Sequence, residues 1–276
     1  MIVSVPASSA NMGPGFDTLA LALSLSFELS DAPFDDRPGG APIVSTRPAA
    51  VAFARGGGVG PVWVRSPIPM GRGLGFSGAA RVAGVVAAHV QRTGHFDPTN
   101  DGAQLVAMAA DLEGHADNVA ASLYGGAVAT ASGTTVRIPL GFDPAVVCWV
   151  PVGTKTSTDA SRTRLGGSVP FADAVFNVGS VALLVAALAS GDVAALRIAT
   201  RDRLHQPQRL AAVPRSSEAL ESGLANGAWC GWLSGSGPTI ALLCPLTAAD
   251  ALAAALPTEH GHAKVLRVDH AGTTVE

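Results

Sequence analysis

The stretch Ile68-Pro69-Met70-Gly71-Arg72-Gly73-Leu74-Gly75-Phe76-Ser77-Gly78-Ala79-Ala80 decides how the rest of the chain is read. Gly71, Gly73 and Gly75 allow a sharp bend and close approach to a ligand, and the alanine- and valine-rich run behind them has the composition of a helix. A loop entering a helix in this way turns unpaired amide N–H groups and the positive end of the helix dipole back toward the bend. That geometry suits a phosphate without requiring a basic side chain. Taken alone, the stretch is equally well an ordinary loop entering an ordinary helix.

Outward from this loop, residues 62–65 read as a strand leading into it, residues 43–45 as another short strand, and residues 79–90 as a buried helix ending near Thr93-Gly94. At the start of the chain a strand over residues 2–5 runs into Pro6-Ala-Ser-Ser-Ala-Asn-Met-Gly-Pro-Gly-Phe-Asp17. This second loop of turn formers and small hydroxyl residues should not hold regular structure for long. Residues 19–29 alternate as a strand with one buried face, and residues 31–41 are a surface connection. A helix over 104–112 precedes Glu113-Gly114-His115-Ala116-Asp117-Asn118, where four polar or charged side chains fall within six residues. A short helix over 119–123 and a hairpin of 127–131 with 135–138 around Ser132-Gly133 complete a first α+β domain, residues 1–141.

Residues 141–144 resemble a linker, and residues 142–276 form a second domain. Its expected elements are a strand at 146–152, helices around 159–165, 172–189 and 193–204, strands at 230–233 and 239–243, a helix at 247–256 and a strand at 264–268. The two middle strands flank a third glycine loop, Ser234-Gly235-Ser236-Gly237-Pro238. Alternating strands and helices suggest an α/β sandwich.

A chain of 276 residues with 48% hydrophobic and 14% charged residues has the composition of a compact soluble protein, and a net charge of −3 argues against nucleic acid as the main partner. The longest apolar run, residues 181–189, stops at Ser190-Gly191-Asp192, short of the roughly 20 residues of a membrane span. No basic region precedes an apolar one at the N-terminus. Cys148, Cys230 and Cys244 are widely spaced in apolar contexts and read as reduced core thiols, which points to a cytoplasmic protein. Lys155 and Lys264 are the only lysines, and no phosphate-loop lysine motif occurs. A bound nucleotide would therefore rely on amides, a metal and arginine.

The three glycine-rich loops, together with Leu233 and Thr239 around the third, resemble the three signature motifs of the GHMP small-molecule kinases in order and spacing. Within that superfamily the first loop, Glu113-Gly-His-Ala-Asp-Asn-Val-Ala120 and Asp202-Arg-Leu-His-Gln-Pro-Gln-Arg209 are similar to the homoserine kinases. The resemblance spans nearly the whole chain. It implies a two-domain fold, with an N-terminal domain of the ribosomal protein S5 domain 2-like type, a ferredoxin-like C-terminal domain and the active site between them. It also implies transfer of phosphate from MgATP to the side-chain hydroxyl of L-homoserine, on the route to threonine, by an enzyme that is commonly a homodimer.

The same resemblance assigns roles to residues. Pro69 to Ala79 (Pro69, Met70, Gly71, Arg72, Gly73, Leu74, Gly75, Phe76, Ser77, Gly78, Ala79) match the ATP-binding loop, and Ser77 and Glu113 the ligands of Mg2+. A serine at a helix start is also an ordinary cap, whereas a glutamate near a helix end is harder to explain structurally. Asn11, Asp17, His115, Asp117 and Asn118 match positions around the amino-acid substrate, with Asp17 toward the ammonium and Asn118 near the reacting hydroxyl. Arg162 and Arg209 match the arginines for its carboxylate, although an isolated arginine is more often a surface ion-pair residue. Asp117, Asn118 and Arg209 are the candidates for the reaction itself. No lysine stands near these motifs to pair with an aspartate as a base. Direct attack by the hydroxyl, aided by orientation and charge stabilisation, is therefore expected. Relatives usually carry Gly-Leu-Gly-Ser-Ser-Ala-Ala in the second loop, and this chain places Phe76 and Gly78 at two of those positions. Two alternatives stand beside this reading: a GHMP kinase for another small alcohol, and a non-catalytic metabolite-binding relative, which the altered second loop allows.

Overall fold

The computed structural model describes residues 1–36, 41–153, 156, 161–163 and 165–276. The alternating apolar residues of β2 (Leu19–Ser30) make it the spine of a six-stranded sheet. It pairs antiparallel with β1 (Ile2–Ala10) and with β4 (Ala127–Ala131), which forms a hairpin with β5 (Thr134–Ile138). β3 (Trp63–Arg65) pairs with the other end of β2. Helices α2 (Phe76–Thr93) and α4 (Asp117–Tyr124) lie against β1 and β2, and α3 (Gly102–Glu113) packs beside them. The small side chains of α2 let neighbours come close: a Cβ on Gly84 would lie 2.3 Å from the Ala49 carbonyl of α1 (Pro48–Arg55).

A second sheet is built from β6 (Pro144–Pro151), β7 (Cys230–Leu233), β8 (Ile240–Pro245) and β9 (Gly261–Arg267), in the order β7-β8-β6-β9 with every pair antiparallel. Between β6 and β7 run α5 (Phe171–Ser190), α6 (Val193–Ala199), α7 (Gln206–Ala211) and α8 (Pro214–Ala225), and α9 (Ala249–Ala255) joins β8 to β9. This is the ferredoxin-like β-α-β-β-α-β pattern. All of β6 is buried because both of its faces are covered. Val146, Cys148 and Val150 join the core of the first sheet, while Ala145, Val147 and Trp149 belong to the outer core with Ala219 and Leu252. The three cysteines are free and buried, and burial pushes Cys148 and Cys230 up to about 12.

Several local expectations need correction. β1 continues through Pro6 to Ala10, with a register shift between Pro6 and Ala7 that accommodates the proline. Residues 43–45 form no strand, although the Ile43 N–H bonds to the Val62 carbonyl, and residues 48–55 beyond them are helical. The helix expected over 193–204 stops at Ala199. The Asp202 carboxylate accepts the N–H groups of Leu204, His205 and Gln206 and so opens α7, and α8 follows as a further helix. The strand β10 (Thr274–Val275), too short for any periodic signal, returns to pair with β1. Of the helix expected around 159–165, residues 159, 160 and 164 lie outside the described residues, and Ser161 and Arg162 are helical. α5 is longer than its apolar run suggested: with 20 residues and a mean hydropathy of 1.9, it is long and apolar enough by length and composition to cross a membrane. Asn177, Ser180, Leu184, Ala187 and Leu188 form its buried side.

Candidate active site

Strand pairing brings the three glycine loops together. Ser9 and Ser234 share a hydrogen bond of 2.7 Å, the Trp232 indole donates to Ser9 (2.9 Å), and the Ser234 hydroxyl donates to the Gly73 carbonyl (2.5 Å). The Asn11 amide donates to the Gly235 carbonyl and accepts the N–H of Asp17, so both ends of this buried side chain tie the first loop in place. Gly73 is required where it stands: its φ is +80°, and an added Cβ would lie 2.2 Å from the Ser234 carbonyl oxygen. Gly73→Ala is expected to destabilise the protein by about 2–4 kcal/mol, lowering its melting midpoint by roughly 5–10 °C. An unchanged midpoint by calorimetry would show that the loops yield.

Between the two sheets lies a cavity of about 130 Å³. Its walls include Asn11 and Asp17 from the first loop, Glu113, His115, Asp117 and Asn118 from the α3–α4 junction, and Arg162 and Arg209. Pro69, Gly71, Arg72, Gly73, Leu74, Gly75, Phe76 and Ser77 also line it, with Gly235 and Ser236 of the third glycine loop. Met70 instead lines a neighbouring cavity of about 390 Å³, and Gly78 and Ala79 are buried in α2 and line neither. A Cβ on Gly78 would come within 3.2 Å of the Asn118 Cβ, so the missing methyl lets α2 sit close to α4.

The neighbouring cavity is walled by Phe27, Ile43, Arg47, Val64 and Ser66, none of them singled out from sequence. Phe76 borders both cavities, with its ring edge-on to Phe27 at 5.5 Å. The glycine-rich composition before Pro61 concealed this wall, because α1 supplies part of it.

At the start of α2, the Ser77 hydroxyl donates to Glu113 Oε2 (2.9 Å). Arg81, one turn further along, donates to Ser77 Oγ (2.8 Å) and forms an ion pair with Glu113. Glu113 ends α3, where the helix dipole disfavours a carboxylate unless a cation is near. Burial lowers the Arg81 pKa from its ordinary value. The only sequence signal for Arg81 was its spacing of four from Ser77 on a helix.

On the opposite wall, Asp17 accepts two hydrogen bonds from Arg162, of 2.6 and 2.8 Å. The Phe16 ring contacts two guanidinium groups, 5.3 Å from that of Arg162 and 5.0 Å from that of Arg209. Arg209 is 4% exposed, and burial, followed by the charge of Arg162, lowers its pKa to about 10, so it stays cationic at neutral pH. Its Nη1 donates to the Gly235 carbonyl and contacts His205 Nδ1. Arg209 Nε and Arg72 Nη1 are buried without hydrogen-bond partners among the described residues. His205 is fully buried, bonded to the Gly13 carbonyl, and does not face the cavity.

Beside them, the buried Asp117 carboxylate accepts from the Asn118 N–H (2.8 Å) and pairs with His115 Nδ1 at 2.6 Å. Ser8 donates to Asn118 Oδ1, fixing which way that amide faces.

Comparison with known proteins matches this architecture. The model of the GHMP kinases N terminal domain matches residues 46–126, and that of the GHMP kinases C terminal matches residues 184–263. The homoserine kinase of Moorella thermoacetica is 39% identical over 262 residues, covering 88% of this chain and 87% of the relative. The chain belongs to the homoserine kinase family. The homoserine kinase of Thermus thermophilus is 40% identical, covering 87% of this chain and 85% of its own. The crystal structure of homoserine kinase from Cytophaga hutchinsonii superposes with a TM-score of 0.82 at 26% identity over 100% of this chain and 97% of that one. A mevalonate kinase structure at 13% identity, TM-score 0.69, shares the fold. This homoserine kinase family member thus has the two-domain GHMP kinase fold expected from its loops.

Proposed function

We propose that this kinase transfers the γ-phosphoryl group of ATP to the side-chain hydroxyl of L-homoserine, giving O-phospho-L-homoserine and ADP on the route to threonine. The observation that carries the reading is one cavity with an amide-rich glycine loop on one wall and Asp17, Arg162 and Arg209 on the other. The unpaired amides at the start of α2 and the buried Arg72 nitrogen suit the phosphates. The larger apolar cavity beside Phe76 suits the adenosine.

Ser77 and Glu113 offer a hydroxyl and a carboxylate, hard oxygen donors of the kind Mg2+ takes, and Arg81 shows that the pair holds positive charge. Bound there, Mg2+ would neutralise charge on the transferring phosphate. Arg209, with its unpartnered Nε, and Arg162 suit the substrate carboxylate. Asp17 suits its ammonium, which would then take over from the Arg162 guanidinium. Asn118, held by Ser8, would orient the hydroxyl, whose oxygen bonds to the γ-phosphorus as the bond to the β–γ bridging oxygen breaks. The hydroxyl proton leaves late, without a strong base.

Two expected results test this reading. Purified protein releases ADP in a coupled assay with MgATP and L-homoserine; turnover confined to another alcohol, or ATP binding without turnover, would defeat it. Asp117→Asn lowers kcat by less than about a hundred-fold and keeps the shape of the pH–rate profile, because a positioned base contributes roughly 10²–10⁴. Loss of the acidic limb in that variant would make Asp117, or the His115 it orients, the base.

The homodimer usual in the family has a candidate face. Phe171, Val175 and Val178 on α5 are 85%, 55% and 72% exposed, an apolar stripe that a second copy would cover.

A further inference from the structure

Away from the active site, the end of α2 and the start of α3 bring together His89, His95 and Asp101, with one potential metal-ligating atom from each within 4.8 Å of the others. His89 Nε2 lies 3.2 Å from Asp101 Oδ2. That matches the ligand–ligand edge of a tetrahedral site, about 3.3 Å for metal–ligand bonds near 2.05 Å. The contact is not a hydrogen bond: the His89 nitrogen is buried and has no hydrogen-bond partner among the described residues. Two such atoms close together yet not aligned on each other have the geometry of ligands that share a third party.

The other contacts orient the group. Asp101 Oδ2 accepts the Asp97 N–H at 2.8 Å, which fixes the carboxylate and leaves it further lone pairs. His95 Nδ1 lies 3.3 Å from the Thr93 carbonyl, so a proton on Nδ1 leaves Nε2 with its lone pair free. A ring-nitrogen contact to a backbone carbonyl is the usual way a metal-binding histidine is held in one tautomer. His95 is exposed, so an ion and a completing water have access from solvent.

We propose that His89, His95 and Asp101 form a binding site for a borderline divalent cation, Zn2+ above all, that clips the connection between α2 and α3. Two imidazoles and one carboxylate are nitrogen and oxygen donors of the type zinc favours, unlike the all-oxygen Ser77–Glu113 pair. The site stands outside the proposed phosphoryl-transfer machinery.

The test uses the tag-free, full-length protein, stripped with chelator and titrated with Co2+ as a spectroscopic substitute. One equivalent per chain should produce the visible bands of four-coordinate cobalt, and Zn2+ should bleach them. Zn2+ should also raise the melting midpoint by roughly 5 °C. In His95→Ala, whose exposed side chain makes misfolding a minor concern, the bands and the thermal shift should vanish while phosphorylation of homoserine stays within two-fold. Absence of bands in the parent protein, or bands and shift that persist in His95→Ala, would overturn the site. In the second case the ion sits elsewhere, such as at His260 or His262.

Discussion

Arg209→Met is expected to lower kcat/KM for homoserine by about a thousand-fold, on the order of 4 kcal/mol, while the KM for ATP changes by no more than a few-fold. The size follows from burial. Arg209 is 4% exposed, and its Nε has no hydrogen-bond partner among the described residues. Folding has already taken this charge out of water, which lowers its pKa to about 10, and a substrate carboxylate would restore much of what was lost. Methionine keeps the length of the stem and removes the charge. Arg162→Met should cost less, because Arg162 and Asp17 are each about one-third exposed and solvent screens them. Steady-state kinetics with each substrate varied in turn would decide. Equal losses for the two variants, or a loss confined to ATP, would remove Arg209 from the homoserine site.

The second large effect concerns the metal pair, where two substitutions should act in opposite directions. Glu113→Gln is expected to cut kcat/KM by about a thousand-fold and to weaken Mn2+ binding in the presence of a non-hydrolysable ATP analogue, followed by electron paramagnetic resonance. Arg81→Met should tighten Mn2+ binding by about ten-fold. Its guanidinium holds both Ser77 Oγ and Glu113, the same two atoms assigned to the metal, and a divalent ion must compete with it for them. Unchanged Mn2+ affinity in Glu113→Gln would move the metal elsewhere. Weaker Mn2+ binding in Arg81→Met would instead mean that the arginine supports the metal site.

The legible parts of the molecule were those written in contiguous residues. β2 announced itself by alternation, α2 by a glycine turn and a run of small residues, and β6 by a short apolar stretch, whose burial on both faces only the packing of the two cores revealed. Every residue singled out for substrate or metal lines the same cavity, although those residues run from Asn11 to Arg209 in sequence. Other features were illegible because nothing local encodes them. β10 is two residues long and exists only because β1 offers an edge. The break after α6 comes from the Asp202 side chain capping the next helix, a choice that helical periodicity does not reveal. The wall beside Phe76 draws on β2, α1 and β3, which adjoin only once the first sheet forms.

By itself, the sequence determined which loops are free to bend around a ligand and which charges they carry, since backbone freedom at glycine and the charges of Asp17, Glu113, Arg162 and Arg209 are properties of the residues. Only the tertiary structure decided which groups face one another. Arg81 reaches Glu113 because α2 and α3 pack side by side, and Arg162 reaches Asp17 because the second sheet docks on the first. Such pairings depend on distances between segments far apart in the chain, which residue order does not specify and packing does.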